Sequence, residues 1–357
     1  DQVAMEYLYF ARLYAGQSRQ ASLVRDRFNG GLALRLPKEK GRFFGKAGME
    51  YLYSQSDYGN SSAPLEGFFT LPAGAQPVTL HFSNYTLTLE NALSPGVSLY
   101  HAYTYLSKYN HYYFSDGTGI YYDLEEQRAY QHQYYFSPRF TTPSGLSILP
   151  MIHLLSVYYQ TIVASGQGYM GGTGSTLGYV RDLDFAAGIT LVKNWGPVDL
   201  SLGTSYAGLN RARQVQGKLG LMYYPLGNLN LYVGTSLNGQ REWTEGGGVN
   251  RWVPDLKLGV AIAQKVWVEA DASLGEMHNY LDLNGAIVYN GYSEMIDRKA
   301  NLALLIPVSP KGSLLYFGGR WTDARSVFIP ESSLLPGSDN VIEYQTLTLY
   351  GGITWNF

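Results

Sequence analysis

Apolar and polar side chains alternate one for one through much of this chain. Leu183, Phe185, Ala187, Ile189 and Leu191 fall between Asp182, Asp184, Gly188 and Thr190. Val198, Leu200 and Leu202 interleave with Asp199, Ser201 and Gly203, and Val215, Leu219, Leu221 and Tyr223 with Gln214, Gln216 and Lys218. The same rhythm sets Phe43, Ala47, Met49, Tyr51 and Tyr53 against Lys46, Gly48 and Glu50. It closes the chain with Leu347, Leu349, Ile353, Trp355 and Phe357 against Thr346, Thr348, Thr354 and Asn356. A period of two predicts strands with two unlike faces. Between Pro77 and Tyr105 the parity changes. Val78, Leu80 and Phe82 are out of step with Tyr85, Leu87 and Leu89, which predicts a bulge near Ser83 and Asn84.

Turn chemistry separates these blocks. Short reversals at 37–41, 91–96, 143–145, 194–197, 225–228 and 309–312 use Gly, Pro or Asn, while Gln264-Lys265 does not. Longer connections are expected near 54–76, 108–129, 164–176, 241–252, 277–294 and 324–340. Short and long connections in strict alternation are the pattern of a membrane barrel, and a soluble sandwich has no reason to follow it. About fifteen strands can be counted back from the C-terminus to Arg27, and an even number is expected of a single-chain barrel. Met5, Tyr7, Tyr9, Ala11 and Leu13 can supply another strand. The rival for residues 3–14 is a helix with Val3, Tyr7, Phe10 and Tyr14 on one stripe.

The alternating C-terminal strand with its aromatic end, and the hairpin rhythm across nearly the whole chain, resemble Gram-negative outer-membrane β-barrel proteins. The tyrosine richness is similar to uncharacterised barrels of Bacteroidota. No motif of the fatty-acid channel family, and no plug domain of TonB-dependent receptors, is recognisable. The resemblance implies an all-β fold: a single closed antiparallel transmembrane β-barrel over residues 1–357. About 16 strands are expected, with 14 as the alternative, short periplasmic turns and longer extracellular loops. Residues 1–20 form the first strand or a short N-terminal helix. The resemblance also implies residence in the bacterial outer membrane as a mature chain after signal-peptide removal. Lipid, lipopolysaccharide and the barrel-assembly machinery are then partners, and Trp355 and Phe357 serve as the insertion signal.

Composition agrees. Of 357 residues 45% are hydrophobic, yet the mean hydropathy is -0.15, too polar for a bundle of membrane helices. Spanning strands that are apolar on one face only produce this mean. Tyr 32, Phe 14 and Trp 6 suit aromatic girdles at the two membrane interfaces. From Leu146 to Val163 the chain is apolar enough to raise a helical alternative, but Pro150, His153 and Gln160 interrupt it. There is no cysteine, so disulfides and thiolate metal sites are excluded. A net charge of -2 gives no basic excess for nucleic acid.

No catalytic constellation stands out, and the chain is not expected to be an enzyme. The six histidines form no tight ligand pair, and neither Gly-x-Ser-x-Gly nor a P-loop occurs. Asp116-Gly117-Thr118-Gly119 with Asp123, Glu125 and Glu126 offers oxygen ligands without a cation-loop spacing, and a solvated acidic loop is the plainer reading. No cofactor or metal is expected. Tyr112, Tyr113, Phe114, Tyr121 and Tyr122 make either a partner-contact patch or a self-packed barrel mouth. Lys46, Glu50, Asp182, Asp184, Asp199, Lys218, Lys257, Glu269, Asp271 and Arg320 are expected to line the lumen, with mixed sign and no strong ion selectivity.

Two functions fit. One is a channel for small hydrophilic solutes, with loops 54–76 or 108–129 setting its bore. The other is a non-conducting accessory barrel that docks beside another outer-membrane protein or a surface lipoprotein.

Overall fold

A computed structural model describes residues 42–57, 74–94, 96–115, 121–142, 144–165, 174–244, 247–262, 266–291, 293–308, 313–327, 329–330 and 341–357. The strands are β1 (Arg42–Asp57), β2 (Gly74–Ser94), β3 (Val97–Ser115), β4 (Tyr121–Thr141), β5 (Leu146–Ser165) and β6 (Gly174–Trp195). They continue with β7 (Val198–Leu209), β8 (Ala212–Tyr223), β9 (Leu231–Thr244), β10 (Gly247–Ile262) and β11 (Val266–Met277). A short inserted hairpin, β12 (Tyr280–Asp282) and β13 (Ile287–Tyr289), follows. The chain ends with β14 (Glu294–Pro307), β15 (Leu314–Val327), the two-residue β16 (Ile329–Pro330) and β17 (Val341–Asn356).

Each long strand pairs antiparallel with its neighbour in the chain. The ring closes because β1 pairs on one side with β17, Tyr51 opposite Gly351, and on the other with β2, Tyr51 opposite Tyr85. Among the described residues the closed barrel has 14 strands. The expectation of 16 is therefore corrected to its alternative. With both edges of β1 occupied, the ring has no open ladder for another strand. The strand or helix expected at residues 3–14, and the strand from Arg27, lie outside the described residues.

The stretch Leu146–Val163, where Pro150, His153 and Gln160 told against a helix, is strand β5. Three other local expectations change. The parity change in β2 is a register shift between Thr79 and His81, a few residues before the expected Ser83 and Asn84. The strict alternation of short and long connections fails at Leu209–Ala212. There Asn210 (φ 50) and Arg211 (φ 64) make a two-residue reversal at the end where a long loop was expected. The connections expected near 108–129 and 241–252 are mostly strand, because β3 extends to Ser115, β4 begins at Tyr121, β9 extends to Thr244 and β10 begins at Gly247.

The outward face is a belt of aliphatic side chains. Leu87, Leu154, Leu183, Leu202, Leu219, Leu256, Leu302 and Leu347 are each more than half exposed and come from strands all around the ring. Water penalises contiguous apolar surface of this extent, whereas hydrocarbon does not. Trp195, Tyr223, Trp355 and Phe357 stand at the rim near the short turns, and Tyr179, Tyr206, Trp243 and Trp252 toward the other rim. Two aromatic rings around an aliphatic belt are the exterior of a membrane barrel. No helix among the described residues is long and apolar enough to cross a membrane, which says nothing of a barrel.

Candidate functional site

The candidate site is the lumen, and a segment of the chain occupies it. After β11 the chain turns inward through His278 and Asn279. It forms the β12–β13 hairpin around a 3-10 turn at Leu283–Gly285 and leaves through Asn290 to β14. Its backbone is held by side chains of the inner wall. The Gln216 amide donates to the Leu281 carbonyl at 2.7 Å and accepts from the Leu281 N–H at 3.1 Å. Gln214 donates to the Asn279 carbonyl at 2.5 Å, and Gln240 to the His278 carbonyl at 2.8 Å. Asn210, in the tight β7–β8 reversal, donates to Asn279 Oδ1 at 2.8 Å and to the Asn290 carbonyl at 2.9 Å, so it grips both stems of the insert.

The tip crosses to the β4–β6 wall. His153 Nδ1 meets the Gly285 carbonyl at 2.7 Å, and the Tyr135 hydroxyl donates to the Asn284 carbonyl at 3.3 Å. Gly285 has φ +79, and a Cβ there would run into the Met151 methyl, so the tip needs glycine for conformation and for space. Leu281 and Val288 of the hairpin pack on Tyr135, Met151, Leu155, Ala186, Ala207 and Leu209. Apolar packing thus flanks the hydrogen bonds of His153 and Tyr135. On the opposite side Asp282 pairs with Lys299. The Lys299 ammonium also stands 5.3 Å from the Tyr289 ring centre, and Arg320 reaches the Tyr289 hydroxyl at 3.5 Å. Burial opposes the charge of Asp282, yet Lys299, aided by Lys218 and the Leu283 N–H, outweighs it and holds the carboxyl below its usual range.

A second obstruction lies at the mouth. Past the end of its pairing with β1, β2 runs on to meet β16, Ala75 opposite Ile329. Val78 and Tyr113 pack on Ala324, Ile342 and Tyr344, which belong to β15 and β17. Glu294 gathers the junction: its carboxylate accepts from the Thr79 N–H at 2.9 Å and the Tyr344 hydroxyl at 2.7 Å, and pairs with Lys108. Beside it a chain of ion pairs, Asp297, Arg325, Glu276, Arg251 and Glu242, links β14, β15, β11, β10 and β9, and His278 at the root of the insert contacts Glu242 at its end.

The ten charged residues expected at the lumen all sit at positions of inward parity. Glu50 accepts from Tyr316 at 2.9 Å, Asp182 from Tyr159 at 2.9 Å, Asp199 from Tyr224 at 3.1 Å, and Asp271 from Asn301 at 2.9 Å. Asp184 lies 3.4 Å from the Asn210 N–H, and Lys257 pairs with Glu269 at 2.8 Å. Lys46 shares the inward parity of Glu50, and Lys218 that of Gln216. Trp355 and Phe357 point outward at the end of β17, where the Phe357 N–H reaches the Gly45 carbonyl at 3.2 Å. Tyr112 is buried at 7% exposure, and Tyr113 packs on the mouth cluster. The side chains of Phe114, Tyr121 and Tyr122 and the segment 116–120 lie outside the described residues. Sequence reasoning missed the grip of Gln214, Gln216 and Gln240. The signal was present as amides at alternate inward positions of β8 and β9, but nothing in the chain named their partners.

These features define a closed barrel with an apolar exterior, a polar inner wall and an inserted hairpin. The fold is that of Gram-negative outer-membrane β-barrels. Among solved structures, the chain is similar to a deltaS2S3 mutant of the TodX monoaromatic hydrocarbon channel, with a TM-score of 0.54 at 9% identity over 88% of this chain and 91% of that one. It is also similar to the CymD monoaromatic hydrocarbon channel, with a TM-score of 0.51 at 8% identity over 97% and 93% of the two chains. Likeness at such low identity is likeness of fold. No protein-family model matches the chain, and no curated protein does.

Proposed function

We propose that this protein is an outer-membrane transport barrel for small hydrophilic solutes, and that the inserted segment 278–290 sets its bore. The observation that carries this reading is the chemistry of the inner wall. Asp271, Lys218, Lys257, Glu269, Glu50 and Arg320 lie at inward positions of the wall, while the leucines face outward. A hydrocarbon solute would strip water from these groups and return no hydrogen bonds, whereas a hydrophilic one exchanges them. The bore is assigned to 278–290 and not to the 108–129 connection, most of which is strand; the 54–76 connection lies largely outside the described residues. The outer-membrane fold of TodX and CymD supports the location and the transport class, although the solute named in their descriptions is of a different kind. Planar-bilayer recording of the purified barrel tests the reading. Discrete conductance steps that enlarge when 279–289 is replaced by a short Gly-Ser link support it, and silence from both forms rejects it.

One observation favours the accessory reading. On the outer faces of β3 and β4, Tyr103 hydrogen-bonds His132 at 2.7 Å and Tyr134 hydrogen-bonds His101 at 2.7 Å, within the height of the aliphatic belt. Polar pairs at that height suit contact with another protein better than contact with lipid. A partner that co-purifies with the native chain and is lost on Tyr103→Leu, together with bilayer silence, would select this reading.

A further inference from the structure

Near the short-turn end of the lumen two tyrosines lie flat on the wall. The register sets Tyr316 of β15 opposite Gly352 of β17, and Tyr350 of β17 opposite Gly318 of β15. A Cβ at Gly352 would meet Tyr316 Cζ at 2.5 Å, and one at Gly318 would collide with the hydroxyl end of the Tyr350 ring. Each ring therefore has one face against the backbone of the neighbouring strand. The hydroxyls fix the rings in place: Tyr316 donates to Glu50 Oε2 at 2.9 Å, and Tyr350 to Asn301 Oδ1 at 2.8 Å. Both side chains are only half-buried. Both residues sit at inward positions, so the side of each ring away from glycine is turned toward the lumen and is only partly covered.

Tyr232 provides the contrast. Its ring also lies over a glycine, Gly259, and its hydroxyl also meets a carboxylate, Glu269. Yet it is only 4% exposed, beneath Tyr224 at 6.1 Å between ring centres. There the stacked ring only fills the wall. On β15 and β17 the same arrangement is only partly covered.

We propose that Tyr316 and Tyr350 form a stacking platform for neutral saccharides. A pyranose ring carries a C–H face that packs on an aromatic face and an equatorial rim of hydroxyls that must be hydrogen-bonded. Glu50 and Asn301 supply acceptors at the ring edges, and Arg320, two residues along from Gly318, supplies donors. Acidic and basic groups are mixed here, Glu50 and Asp271 with Arg320 and Lys299, so neither sign draws an ionic solute strongly. A monoaromatic hydrocarbon would stack equally well but would displace water from these polar groups and return no hydrogen bond. The proposal names a solute class for the transport reading and rests on that reading.

The test is binding, measured apart from transport. The full chain in detergent is titrated with maltose, cellobiose, benzoate and toluene, followed by saturation-transfer NMR and calorimetry. Saturation of sugar-ring protons is expected for at least one disaccharide. Affinity should fall about tenfold in Tyr316→Ala or Tyr350→Ala and stay within about threefold in Tyr316→Phe, which keeps the ring. If the alanine variants do not fold, the wild-type spectrum and the phenylalanine variant still decide. No disaccharide signal from wild type, unchanged affinity in folded alanine variants, or binding of toluene alone overturns the platform. Liposome swelling is scored separately: saccharide binding without swelling rejects the transport reading and leaves the platform standing.

Discussion

Gln216 and Leu281 exchange two hydrogen bonds, as neighbouring residues in a sheet do, but one partner is a side chain. The Gln216 amide donates to the Leu281 carbonyl at 2.7 Å and accepts from its N–H at 3.1 Å. The wall of the barrel thereby supplies the missing edge for a hairpin too short to stand alone in water. Replacing Gln216 with Ala leaves both backbone groups of a buried residue without their partner. The expected cost is about 1–3 kcal/mol of insert stability. Hydrogen exchange should speed up across 278–290 and stay unchanged in β14–β17.

The pairing of Asp282 with Lys299 makes the insert sensitive to acid. The Asp282 carboxyl sits below its usual range in the folded chain, so it takes up a proton more readily once the insert is released. The stabilisation is therefore complete above the ordinary carboxylate value, about 3.9, and is lost as pH falls through the lower folded value. Single-channel conductance should rise on acidification through that window. Asp282→Asn should remove the step and leave an insert that is weaker at neutral pH.

Leu347→Arg or Leu256→Arg places a charge in the aliphatic belt, where both leucines are about 60% exposed. The expected loss is about 2–4 kcal/mol, read as unfolding in urea from lipid vesicles. Ser201→Lys, on the inward face of β7, should cost much less. Equal damage from both substitutions would mean that the two faces are exchanged.

Trp355 and Phe357 complete the outward row of β17 beside Ala47 and Gly45 of β1, at the seam where the ring closes. Deleting Phe357 should slow assembly into membranes without altering the stability of barrels already formed. Time-resolved appearance of the folded band on unheated gels measures the first, and urea denaturation the second.

Much of this was legible in the chain because a strand's faces are a local property. Asp182 and Leu183 point to opposite sides whatever surrounds them, so outward leucines and inward charges could be read from parity. The parity also warned of a bulge in β2, though its position at Thr79–His81 depends on how β3 pairs. The sequence alone determined strand, face and the membrane as solvent. Tertiary structure alone decided the rest. The ring closes at fourteen because β1 meets both β17 and β2, and edge pairing is settled only when the ends come together. The same holds for the lumen. Gln216 finds Leu281 65 residues away, and Tyr316 finds Glu50 266 residues away. No local periodicity encodes contacts that exist only after the sheet has curled around them.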